Sequence, residues 1–110
     1  MGQPIDVHVR ATGDPGNRQF VGNRNLTGQR GEMFRRGDAL DPPDARTPAA
    51  ELAERLFALS GQVVGVYAQS NVVSVTLADP DAWERLEERI AQVLRDLHVH
   101  YEEHRETAPT

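Results

Sequence analysis

Three histidines crowd one end of the chain. His98, His100 and His104 stand among Glu102, Glu103 and Glu106. His100 and His104 are four residues apart and Glu103 is three from His100, so on a helix they share one face. Two imidazoles and a carboxylate form a donor set for ferrous iron or zinc, with positions left open. The same residues also read as a charged helix end, where histidines complement the C-terminal dipole. His104 continues the line of Leu97 and Tyr101 and reads equally as a packing residue. None of the 110 residues is cysteine. Thiolates are the usual ligands of iron–sulfur clusters, so these residues alone do not hold a conventional cluster or perform thiol chemistry.

Other chemistries find little support. All twelve basic residues are arginine, which excludes lysine Schiff bases. Gly13, Gly16, Gly22, Gly28, Gly31 and Gly37 lack the Gly-Lys-Ser/Thr ending of a phosphate loop. No nucleophile stands in a recognisable relation to a base, so an enzyme is not expected. A net charge of −5 argues against nucleic acid and against an anionic membrane surface. No apolar run approaches the roughly 20 residues of a membrane span. The first ten residues lack a basic start followed by an apolar stretch, so they do not read as a secretory signal and cytosol is the expected location.

The elements that must position any site are well marked. At 110 residues, one domain with one modest core is expected. Ile5 to Ala11 alternate apolar and polar residues, as a strand with one buried face does. Asp6, His8 and Arg10 fall on its other face. A dense turn signal, Thr12 to Asn17, leads to a weaker strand around Phe20, giving a hairpin. Residues 27–46 are rich in Gly, Arg, Asp and Pro and are expected to form a long loop, with Phe34 and Leu40 as the residues to pin it. Thr47-Pro48 is a cap followed by a first-turn proline. A helix with Leu52, Leu56 and Leu59 follows, with Gly61 expected to end it in the left-handed conformation. Val63 to Ala68 and Val72 to Leu77 form a second hairpin, rich in β-branched residues. Asp79-Pro80 opens a second helix, expected to run to about His104, with the stripe Trp83, Leu86, Ile90, Leu94 or Val93, Leu97 and Tyr101. The domain is expected to span 1–104, with 105–110 a frayed tail. The expected fold is α+β: a two-layer β-β-α-β-β-α sandwich, its four-stranded sheet covered on one face by both helices.

Arg18, Arg24, Arg30, Arg35 and Arg36 make the first third locally basic, while the second helix carries Glu84, Glu87, Glu88 and Asp96. Such polarity either steers a charged protein partner or simply solvates two faces.

Two segments resemble the N-terminal domain of NifU-like and Nfu-type iron–sulfur cluster proteins. The first family motif reads T-P-N-P-N-S-L-K-F, and Thr12-Gly13-Asp14-Pro15-Gly16-Asn17-Arg18-Gln19-Phe20 lies in its register. Thr12, Pro15 and Phe20 match, Asp14 stands in for an asparagine, and Gly13, Gly16 and Arg18 depart from it. The second signature, roughly S-P-L-A-x-x-L-F-x-I-x-G-V-x-x-V followed by F-I-T-V-T, is met by Thr47-Pro48, three extra residues, Ala53 to Leu59, Gly61, Val63, Val66 and the strand Val72 to Thr76. Trp83 sits where the family often has tryptophan. The resemblance spans residues 5 to about 100. It implies the stand-alone form of this domain, lacking the Cys-x-x-Cys domain that carries the cluster in longer members. It further implies a non-enzymatic accessory or interaction role in cluster assembly beside a cysteine-bearing partner. The alternative is direct iron binding by His100, His104 and Glu103. No catalytic or cofactor-binding residue transfers from the family, and the oligomeric state stays open.

Overall fold

The computed structural model describes residues 6–25 and 29–107, except for the side chains of Pro43 and of 99–107. The chain order is β1 (Val7–Ala11), β2 (Asn17–Gly22), β3 (Glu32–Arg35), α1 (Pro48–Leu59), β4 (Val63–Gln69), β5 (Val72–Leu77) and α2 (Trp83–Thr107). Short 3-10 turns at Pro43–Ala45 and Pro80–Ala82 precede the two helices. One antiparallel sheet takes the order β1-β2-β5-β4-β3.

Both expected hairpins form, and the sheet has five strands rather than four. The extra strand, β3, lies inside the stretch expected to be a loop. Four residues flanked by Gly31 and Gly37 carry too little alternation to read as a strand by themselves. They become one by pairing: Phe34 opposes Val66, and Glu32 opposes Ala68.

Register places the side chains in rows. On one face Val9, Phe20, Val73 and Ala68 stand opposite one another, and so do Ala11, Arg18, Val75, Val66 and Phe34. Both helices cover this face. Leu52, Ala53 and Leu56 of α1 join Trp83, Leu86, Ile90, Leu94 and Leu97 of α2 in one buried cluster with the apolar members of those rows. Burying each large side chain contributes about 1.5–3 kcal/mol. The result is a two-layer α+β sandwich with one open sheet face.

The start of α1 follows its sequence signals. The Thr47 hydroxyl accepts from the Ala50 N–H at 3.2 Å and donates to the Glu32 carboxylate at 3.1 Å, so the cap also ties α1 to β3. The end of α1 is different. Gly61 does not adopt a positive φ; Ser60 leaves the helix in an extended conformation. The exposed carbonyls find a donor from elsewhere. The Arg36 guanidinium donates to the carbonyls of Phe57 (2.8 Å), Ser60 (2.6 Å) and Val63 (2.8 Å). It also lies over the Phe57 ring at 5.2 Å. A cation is favoured here by the helix dipole, so it does the work expected of a C-terminal glycine. Arg36→Ala is expected to lower stability by about 1–2 kcal/mol. Arg36→Lys recovers little, because one ammonium does not reach three carbonyls at these spacings. Urea unfolding followed by circular dichroism checks both.

Candidate functional site

The open face of the sheet is a surface that the core does not use. One row runs Arg10, Gln19, Ser74, Tyr67 and Met33, and a second runs Asn17, Thr76, Gly65 and Arg35. His8, Val21, Val72 and Gln69 form a third. Among the described residues, Met33 and Tyr67 are the exposed large apolar side chains, at 56% and 38%.

Side chains on this face fix one another. The Asn17 amide donates to Ser74 Oγ and Thr76 Oγ1, both at 2.9 Å, and Ser74 Oγ donates back at 3.1 Å. The Arg10 guanidinium donates to Gln19 Oε1 at 3.1 Å. Tyr67 donates to Gln69 Oε1, and Gln69 in turn donates to the Gln29 carbonyl. Gly31 lies so close that a Cβ there would overlap the Tyr67 hydroxyl. A shallow groove of about 540 Å³ runs along Arg10, Gln19, Met33, Tyr67, Val72 and Ser74. Such a surface can hydrogen-bond and pack against a partner.

The arginines that make the first third locally basic do not share one face. Arg18 does not join the open face. Its register puts it on the helix side, where it pairs with Glu87 and lies 5.2 Å over the Trp83 ring. Arg36 caps α1, and Arg46 pairs with Glu51 and Glu54. Arg10 and Arg35 project from the open face. Strand alternation assigned Arg10 correctly. Arg18 was harder, because nothing in the β2 sequence marks which of its weakly alternating faces is covered.

The first motif has a structural role. The Thr12 hydroxyl donates to the carbonyls of Asp14 and Asn17, each at 3.2 Å, and accepts from the Asp14 N–H. Asp14 Oδ1 accepts from the Gly16 N–H at 2.9 Å. The Gly16 carbonyl then accepts from the Leu77 N–H at 2.8 Å and from Trp83 Nε1 at 3.2 Å. Phe20 and Trp83 meet with ring centroids 5.8 Å apart. The motif is a turn that locks β2 to the end of β5 and the start of α2.

His100, Glu103 and His104 fall within α2, and their side chains lie outside the described residues. Among the described residues no group of three or more His, Asp or Glu stands close enough to hold a metal ion. His98 is buried, and its Nε2 has no hydrogen-bond partner among them. No helix among them is long and apolar enough to cross a membrane.

A two-layer fold with an open face and a motif turn locked to a tryptophan defines a small domain that presents a surface. The family model for the Nfu/NifU scaffold protein N-terminal domain matches residues 7–100, and the chain belongs to that family. Comparison with curated protein sequences gave no match.

Proposed function

We propose that this chain is a non-enzymatic interaction module of iron–sulfur cluster assembly, acting in the cytosol beside a cysteine-bearing partner. One observation carries the reading: membership of a cluster-scaffold family in a stretch of 110 residues without a single cysteine. On this reading the thiolates that hold the cluster, as cargo, lie outside these 110 residues, on the partner. The described polar groups support a docking role, since the open face offers hydrogen bonds and apolar contact.

Anaerobic affinity capture from the protein's own cell extract, read by mass spectrometry, tests this. Enrichment of a Cys-x-x-Cys carrier, a scaffold or a desulfurase is the expected result. Their absence against a mock capture overturns it.

Direct iron binding is the second reading, favoured by the continuity of α2 through His100, Glu103 and His104. Under it, His100→Ala/His104→Ala abolishes ferrous-iron binding in an anaerobic titration. Unchanged affinity excludes this site.

A further inference from the structure

The two faces of the sheet differ in how their charges are mixed. On the helix side, Arg18 pairs with Glu87, Arg46 with Glu51 and Glu54, Arg55 with Glu51, and Arg95 with Glu88. Arg85 and Arg89 of α2 pair with no carboxylate among the described residues, but they stand among Glu84, Glu88 and Asp96 of the same helix. On the open face, the Arg10 guanidinium meets only the neutral amide oxygen of Gln19, and neither it nor the Arg35 guanidinium pairs with a carboxylate among the described residues, although Asp38 Oδ2 accepts from the Arg35 backbone N–H at 2.8 Å. No position within the five strands on that face carries Asp or Glu; Asp6, just ahead of β1 and bonded to Asn23, is the carboxylate at its margin. In a chain of net charge −5 this is an electropositive surface on an acidic protein. Arg10 lines one groove with the apolar side chains of Met33, Tyr67 and Val72, and Arg35 stands two residues from Met33 on β3.

From this asymmetry we infer that the open face docks an acidic segment of a partner protein, its carboxylates on Arg10 and Arg35 and its apolar side chains over Met33 and Tyr67. The inference rests on the interaction-module reading and names the partner's chemistry. Unneutralised arginines on a rim attract carboxylates and speed encounter. Apolar and aromatic groups between them supply the contact that charge alone does not. A nucleic acid fits less well, because phosphate binding draws on many cations and stacked aromatics. This face has two arginines and one tyrosine. Size adds a constraint. Five strands spaced about 4.8 Å apart make a face roughly 19 Å wide, at the small end for protein interfaces. The contact is therefore transient and sensitive to salt.

The test is a backbone-amide NMR titration of the whole chain with a short acetylated peptide alternating Glu and Leu. Shifts confined to the strands, weaker at high salt, are expected. The Gln–Leu counterpart should give none. Arg10→Glu/Arg35→Glu should lower affinity at least about tenfold. Arg85→Glu/Arg89→Glu makes the same charge change on exposed positions of α2 and should leave affinity unchanged. Arg10→Gln/Arg35→Gln gives a milder loss and serves if the reversal unfolds the chain. No shifts, shifts on the helix side, or equal loss in both charge reversals would overturn the proposal. So would tighter binding of a short single-stranded oligonucleotide. Repeating the affinity capture with Arg10→Glu/Arg35→Glu separates the two readings. A cluster-assembly partner retained in full by this variant ends the docking assignment and leaves the module reading standing. No such partner even for the unaltered chain ends the module reading, while the titration still decides what the face recognises.

Discussion

Replacing Trp83 by alanine is expected to remove about 3–5 kcal/mol of stability, a large share of the roughly 5–15 kcal/mol typical of such domains. Three contacts add up here. The indole is 1% exposed, so its truncation leaves a cavity lined by core side chains. Its Nε1–H donates to the Gly16 carbonyl, which loses that partner. Its ring also meets Phe20 and underlies the Arg18 guanidinium. Trp83→Phe separates these terms: it keeps most of the ring packing and loses the donor, for an expected cost of about 1–2 kcal/mol. Trp83 is the only tryptophan, so unfolding is followed by circular dichroism rather than fluorescence. A loss below about 1 kcal/mol for Trp83→Ala would contradict this account.

Gly16→Val is expected to cost about 1–3 kcal/mol, because the site has no room for a side chain. A Cβ at Gly16 would sit 2.9 Å from the Leu77 carbonyl oxygen. That atom is backbone, so it moves only with β5. The Gly16 carbonyl is in turn held by the Leu77 N–H at 2.8 Å, and any retreat stretches this bond. Gly13 is the internal control. A Cβ there meets nothing within 4 Å, and Gly13→Ala should be neutral or slightly stabilising through the unfolded chain. Thermal unfolding of the two variants side by side checks the pair. Equal effects would mean that the close approach to Leu77 is not what requires glycine at position 16.

Local signals made much of this fold legible. Thr47-Pro48, the β-branched hairpin and the stripe from Trp83 to Leu97 each state a period or a cap, and each held. The alternation of β1 holds at Val7 and Val9, with Ala11 exposed and Ile5 outside the described residues. What stayed hidden depends on distant partners. β3 exists because β4 offers an edge to Glu32–Arg35, and no period within four residues reports that. Gly61 follows a helix as a capping glycine would, yet a donor from residue 36 removes the need for a left-handed turn. Arg18 looked like part of a basic surface until its register with Val75 turned it toward Glu87. The open face was readable only in part, through Asp6, His8 and Arg10. Its remaining residues come from four other strands whose order sequence does not state.

The inward position of Arg18 has a consequence before the fold exists. β2 pairs with β5, and Asn17 reaches Thr76, 59 residues further along. During synthesis at about 5–20 residues per second, β2 waits roughly 3–12 s for that partner. Throughout the wait, the edge that will meet β5 offers its backbone to any other chain. A charge pointing inward from such a strand is one way proteins discourage this kind of pairing. Arg18 supplies that charge until Glu87 and Trp83, both made after β5, arrive to neutralise and cover it.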